Sequence, residues 1–139
     1  PAPPVQSADL EGIVVDNIDA ALVGEWLHSK STGGFVDSGY IHDGDEKSEV
    51  KRVVFRPELP VDGHYEVRVY FTPAGNRCES AEGRATLFIN QRETDRTGNF
   101  RSIGRFRFAG GTGGSITTSN EKTRGHVVAD AVQLIRVKN

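Results

Sequence analysis

The chain reads as an all-β domain, a β-sandwich or jelly roll of about eight strands. Three observations predict this. Gly (16 residues) and Pro (6) recur at short intervals along the 139 residues. The intervals are filled by short runs rich in Val, Ile, Phe, Tyr and Thr, the residues that suit a pleated, half-buried surface. The one run that could open a helix, Ile18–Val23, is too short to carry an α layer, although Asp16 or Asn17 could cap a turn there.

In chain order the expected strands lie near Gly12–Val15, Leu22–His28, Val50–Phe55, His64–Thr72, Arg84–Asn90, Asn99–Phe108, Ser115–Ser119 and His126–Val137. The clearest is His64–Phe71, where Tyr65, Val67, Val69 and Phe71 alternate with His64, Glu66, Arg68 and Tyr70; the first set is the core face. The same period in Asn99–Phe108 puts Phe100, Gly104, Phe106 and Phe108 on one side and Arg101, Ile103, Arg105 and Arg107 on the other, an arginine-rich sheet face. The run from His126 is apolar at both parities, as in a central strand covered on both sides. Trp26 alternates with Leu22 and Gly24 and is expected in the core. Leu59–Gly63 reads as a turn into the Tyr65 strand, and Gly110–Gly114 as a hairpin between two strands.

One core fits this length, so the reading is a linker remnant over 1–11, opened by Pro1-Ala2-Pro3-Pro4, and a single domain over 12–139. The formal charge of −2 offers no cationic excess for a phosphate backbone, which argues against nucleic acid as partner. No stretch approaches the roughly 20 apolar residues of a membrane span, so no membrane insertion is expected. The single cysteine, Cys78, excludes an internal disulfide and any multi-cysteine metal site, and is read as a small buried residue. An upstream secretory signal is consistent with this beginning.

Catalytic chemistry is not legible. There is no Gly-x-Ser-x-Gly setting for a nucleophile, and the four histidines, His28, His42, His64 and His126, stand far apart in sequence. The chain offers acids but no constellation of two carboxylates, or of a base beside an arginine, so no catalytic residue is assigned. His42-Asp43-Gly44-Asp45-Glu46 has the oxygen-rich composition of a calcium loop without the spacing of an EF-hand; an acidic surface turn or a structural calcium site both fit. Gly110–Gly114 is followed by a strand rather than a helix, so it is no phosphate cradle, and no cofactor is expected.

A sugar site stacks an aromatic ring on a pyranose face while neighbouring Arg, Asn, Asp or Gln hold the hydroxyls. Tyr70 fits, on the polar face with Arg68, and Arg101 and Arg105 extend that face toward a glycan bearing carboxylate or sulfate. Tyr40, Asn76 and Arg77 form a loop alternative, with Arg77 equally suited to hold its own turn through backbone carbonyls. Asp130, flanked by small apolar residues, is expected to be paired in the sheet interior or at a loop junction.

The order of several segments carries a resemblance: Ile13-Val14-Val15-Asp16-Asn17, Gly24-Glu25-Trp26, Gly39-Tyr40, Phe55-Arg56-Pro57-Glu58-Leu59-Pro60, Gly63-His64-Tyr65-Glu66-Val67, Asn76-Arg77, Gly98-x-Phe100, Ile103-Gly104-x-Phe106 and Ala129-Asp130-Ala131-Val132. In these the chain resembles the golvesin C-terminal-like domain, a carbohydrate-binding-like module met in xanthan-lyase-type proteins and at the C-terminus of secreted bacterial proteins of the FAD-dependent oxidoreductase type. The resemblance covers Gly12 to Val137. It implies a jelly-roll-like sandwich without an active site, secreted and bacterial, beside an upstream catalytic domain in the same chain. It names a sugar ligand by fold analogy and transfers no binding residue. The leading expectation is therefore a non-catalytic accessory module that binds polysaccharide; the alternative is a structural or docking domain that packs on its catalytic partner.

Overall fold

The computed structural model describes residues 3–73, 81–83, 87–89, 91–92, 99–121, 123 and 125–138. Its strands are β1 (Ile13–Asp16), β2 (Ala21–Val23), β3 (Leu27–Ser29), β4 (Tyr40–His42), β5 (Arg52–Phe55), β6 (Gly63–Tyr70), β7 (Ala81–Gly83), β8 (Leu87–Ile89), β9 (Phe100–Phe108), β10 (Ile116–Ser119), β11 (Val128–Ala129) and β12 (Ala131–Arg136). They form three antiparallel sheets, ordered β1-β12-β6-β9, β2-β5-β10-β7-β8 and β11-β4-β3. The result is an all-β sandwich with jelly-roll-like topology.

Alternation in β6 sets the core. Tyr65, Val67 and Val69 are buried and meet Val132 and Leu134 of β12, with Val53, Phe55 and Ile116 closing the cluster from the facing sheet. Ala131 to Leu134 are all buried, because β12 lies between β1 and β6 and is covered on both faces. Burying each such large apolar side chain stabilises the fold by about 1.5–3 kcal/mol.

Several elements depart from the sequence reading for local reasons. The expected strand Leu22–His28 is two strands in two sheets, broken after Val23. Gly24 has φ +84°, and a Cβ there would lie 2.8 Å from Cγ of Lys51, so the chain turns where only glycine fits. The run from His126 likewise divides around Asp130, whose two neighbouring strands belong to different sheets. Tyr40–His42 is a strand that the sequence reading passed over. The helical candidate is one 3-10 turn, Asn17–Asp19, whose Ile18 N–H donates to the Asp16 carboxylate at 3.3 Å. Of the expected strand Arg84–Asn90, Leu87–Ile89 is observed, and 84–86 and 90 lie outside the described residues.

Gly110–Gly114 is not a hairpin: β9 and β10 belong to opposite sheets, so the loop crosses the end of the sandwich. The β5–β6 connection crosses at the same end, and Leu59 and Gly111 exchange two backbone hydrogen bonds of 3.0 and 2.8 Å that tie the crossings together. Trp26 is only partly buried, packing against Val127 at the core margin while Nε1 donates to the Val23 carbonyl.

The segment expected as a linker is held from Val5 onward. Val5 N–H donates to the Phe35 carbonyl and Asp37 N–H to the Val5 carbonyl, both at 2.7 Å. Val5 and Leu10 thereby cover Val36, Tyr70, Phe100 and Ala131 on the outer face of the β1-β12-β6-β9 sheet. Half of that face is closed by this cover.

Candidate ligand-binding face

The open half of the same face is made by β6 and β9. Their register decides which side chains share it. Val67 pairs with Gly104 and Arg68 with Ser102, so Ile103 is an extra residue in β9, accommodated where Gly104 adopts φ +111°. A bulge of one residue reverses the parity beyond it. Phe100 therefore joins Tyr70 on the outer face, whereas Arg101, opposite the core residue Val69, is carried to the inner side. Arg105 and Arg107, opposite Glu66 and His64, keep their outward parity.

Three expected sugar contacts are corrected by the structure. Tyr70 is 4% exposed, lies against Phe100 at 5.3 Å between ring centroids, and donates its hydroxyl proton to Oε1 of Gln133 at 2.8 Å. It is a core residue of the covered half, and no ligand can stack on it. Tyr40 is 1% exposed, and its hydroxyl accepts from the Thr32 N–H and bonds Ser29 and Ser31, pinning the 29–32 loop. Arg101 is corrected with them, since it does not share a face with Arg105. Asn76 and Arg77, like Cys78, lie outside the described residues.

Arg68 and Arg105 remain. Arg68 lies with Cζ 4.6 Å from the Phe100 centroid, and its Nε donates to Glu66 at 2.9 Å. That hydrogen bond, with the Ser102 hydroxyl and the charge of Arg105, holds the Glu66 carboxyl below its ordinary range. Arg68 is thus fixed by stacking and pairing. Arg105, Arg107 and His64 are exposed and form no ion pair among the described residues. Among the described residues the open half carries Arg68, Arg105 and Arg107 with Glu66, and the charge of Glu11 also reaches Arg68.

The acidic loop at 42–46 supplies its own cation. The Asp43 side chain is fully buried; one oxygen accepts from Asp45 N–H and Val127 N–H, and the other accepts from Nζ of Lys47. That ammonium also donates to Thr123 Oγ1 and the Gly125 carbonyl at 2.9 Å each. Among the described residues, no group of three or more His, Cys, Asp or Glu converges to hold a metal ion. His42 and His126, remote in sequence, meet in a T-shaped contact with centroids 5.4 Å apart and planes at 63°.

Asp130 is fully buried at the junction of β11 and β12, and among the described residues no cation pairs with it. One carboxyl oxygen accepts from Val36 N–H at 2.8 Å; among the described residues the other, like one oxygen of Asp16, has no hydrogen-bond partner. Burial, together with the charges of Asp16 and Asp37, pushes Asp130 up to about 8, and burial raises Asp16 to about 6. This acid pair joins the start of β12 to the end of β1, away from the open face.

The family model of the Golvesin C-terminal domain matches residues 13–136. The chain belongs to the Golvesin C-terminal domain family. A curated relative, the xanthan lyase of Bacillus sp. (strain GL1), is 33% identical over 142 residues that cover 93% of this chain and 15% of the lyase. The chain thus spans about 15% of that relative's length. Among solved structures, a Paenibacillus xanthan lyase matches with a TM-score of 0.83 at 31% identity, over 91% of this chain and 13% of the lyase. The Podospora anserina GH26-CBM35 β-(1,4)-mannanase matches with a TM-score of 0.71 over 94% of this chain and 29% of the mannanase. At 14% identity the latter likeness shows the fold alone.

In this Golvesin C-terminal domain, sequence reasoning missed the consequences of the bulge. The signal was present: Ile103 and Gly104 interrupt an otherwise alternating run, and a glycine inside a strand often marks a bulge.

Proposed function

We propose that this Golvesin C-terminal domain is a non-catalytic accessory module that binds an acidic polysaccharide for an enzyme attached in the same protein, in a secreted setting. The observation that carries the reading is the open half of the β6–β9 face, where Arg105, Arg107 and His64 stand exposed beside the stacked Arg68 and form no ion pair among the described residues. Support comes from the relatives, polysaccharide lyases of which the chain spans only a small part, and from a fold shared with a mannanase that carries a family 35 carbohydrate-binding module. Planar guanidinium groups grip carboxylate and sulfate in bidentate fashion, which a neutral glycan does not exploit.

The test is affinity electrophoresis of the chain in gels containing neutral, carboxylated or sulfated polysaccharide. Retardation on the anionic gels that fades as salt rises supports the reading, and unretarded migration in every gel overturns it.

One observation favours a second reading, a docking domain. The edge strand β2 exposes all its residues, and Leu22, Val23 and Leu27 are each 46–51% exposed beside Ile18 at 74%. Apolar surface of this kind suits contact with a neighbouring protein. Loss of co-purification between this chain and its separately expressed catalytic region in Leu22→Ser/Val23→Ser, with glycan retardation absent, would favour docking.

A further inference from the structure

A cleft of about 470 Å³ opens on the inner side of β9, between that strand and the loop that leads to β10. Phe106 and Phe108 line it on the strand side and Gly113 to Ser115 on the loop side, with the buried Val67 and Ile116 at its base. Arg107 borders it too, but its register with His64 sets its side chain on the outer face of the sheet. Among the described residues, no charged side chain faces the cleft.

Both rings are held in place. Phe106 lies back over its own strand, its Cε2 and Cζ 3.9 Å from the point a Cβ of Gly104 would occupy. Phe108 stands edge-on to Tyr65, with centroids 6.0 Å apart and planes at 85°. Gly114 approaches Phe108 so closely that a Cβ would lie 2.6 Å from the ring, so the loop backbone itself holds the phenyl group. The two rings remain partly exposed, although they border the main core.

The loop side is polar. Gly110 N–H donates to Asp62 and Gly111 exchanges backbone hydrogen bonds with Leu59, whereas among the described residues Gly113 and Gly114 make no backbone hydrogen bond. Space is open at Gly113, where an added Cβ would meet nothing within 4 Å. Fixed, partly exposed rings beside free backbone donors and acceptors suit a sugar ring, whose C–H face is apolar and whose edge carries hydroxyls. The volume falls within the roughly 300–1,000 Å³ typical of small-ligand sites. A carboxylate or sulfate placed here would lose water without gaining a cation, which disfavours a charged unit.

From this geometry we infer that the Phe106–Phe108 cleft is a subsite for an uncharged pyranose unit, which lays its apolar face on the phenyl rings and offers its hydroxyls to the backbone of Gly113 and Gly114. The inference rests on the carbohydrate reading above and deepens it. β9 is the edge of its sheet, with Arg105 and Arg107 on its outer side and the cleft on its inner side. A heteroglycan that crosses this edge presents acidic units to one side of the strand and neutral units to the other.

The test is an amide NMR titration of the chain with cellotetraose, a neutral sugar whose ring faces carry only C–H bonds, and separately with tetragalacturonate, each at low and high salt. Cellotetraose is expected to give saturable shifts centred on Phe106, Phe108 and Gly113 to Ser115 that persist in salt. Tetragalacturonate is expected to shift Arg105 and Arg107 and to lose those shifts as salt rises. Phe106→Leu keeps an apolar side chain but loses the flat ring, and should weaken cellotetraose binding by about tenfold while leaving tetragalacturonate binding unchanged. Cellotetraose shifts that are absent or map elsewhere, with the tetragalacturonate shifts intact, overturn the subsite and leave the carbohydrate reading standing. Undiminished cellotetraose binding by a folded Phe106→Leu overturns the subsite as well; if that variant does not fold, the shift map of the unmodified chain decides. No shift with either sugar overturns both readings.

Discussion

The hydroxyl of Tyr70 donates to Oε1 of Gln133 at 2.8 Å, and both side chains are buried beneath the segment that runs from Val5 to Leu10. Gln133 in turn donates from Nε2 to the Glu11 carbonyl at 2.7 Å, so the pair ties β6 and β12 to that segment. A tyrosine placed by alternation on a polar face is therefore a structural residue.

The first prediction follows from that pair. Tyr70→Phe leaves the buried Gln133 oxygen without its donor and is expected to lower stability by about 1–3 kcal/mol while leaving polysaccharide retardation unchanged. Urea denaturation and affinity electrophoresis of the same variant check both halves. Loss of retardation by a folded Tyr70→Phe would return Tyr70 to the binding site.

A second concerns pH. Unfolded, Asp130 titrates near its ordinary 3.8; folded, burial holds its proton up to about 8. Below the unfolded value both states carry the proton. Between the two values only the folded state does, so stability falls as pH rises through that window, by up to about 1.4 kcal/mol per unit for such a group. Asp16, raised to about 6, adds to the fall in the lower part of the window. Asp130→Asn keeps an acceptor for Val36 N–H and removes the charge. Its urea midpoint is expected to be nearly flat between about pH 6 and 8, and above the unmodified chain's at the alkaline end. A midpoint for the unmodified chain that climbs over this range contradicts the account.

Lys47 carries the third. Its ammonium neutralises a fully buried Asp43, so Lys47→Met strands a carboxylate inside the protein. The expected loss is about 3–5 kcal/mol. The exposed pair Arg52–Glu121 is the control: Arg52→Met should cost no more than about 1 kcal/mol. Thermal unfolding of the two variants side by side distinguishes a buried ion pair from a solvated one.

The fourth places the phenyl ring of Phe108. Gly114→Ala forces a methyl group against that ring and should destabilise the fold by about 1–3 kcal/mol. Gly113→Ala, whose added Cβ would meet nothing within 4 Å, should leave stability nearly unchanged. Equal melting temperatures for the two would mean that the loop does not hold Phe108 as described.

Much of this architecture can be read along the chain. The β6 alternation names its own core face, the doubly apolar β12 announces a strand covered on both sides, and Asp16 caps the turn that follows it. These are properties of residues close in sequence, where side-chain period and turn chemistry act directly. The same local signals predicted two strands too few around Leu22–His28 and His126–Val137, because a break between sheets depends on what approaches Gly24 and Asp130 from elsewhere.

Of the candidate face, only the residue types were legible. The sequence reading placed arginines on the β6–β9 sheet, and Arg68, Arg105 and Arg107 share its outer side whereas Arg101 does not. Which aromatic residues accompany them was not visible. The bulge at Ile103 exchanges the faces of Phe100 and Arg101, and the covering of half the sheet by Val5 and Leu10 takes Tyr70 out of reach.

The sequence by itself thus determined the fold class, the identity of the central strands and the cationic character of the exposed sheet, since each depends on composition and a period of two. Tertiary structure alone decided the rest. One inserted residue reverses every side chain beyond it, and whether a face meets water depends on a segment more than fifty residues away in the chain, from Val5 to Tyr70. Packing between distant residues settles such choices, and no local pattern records them.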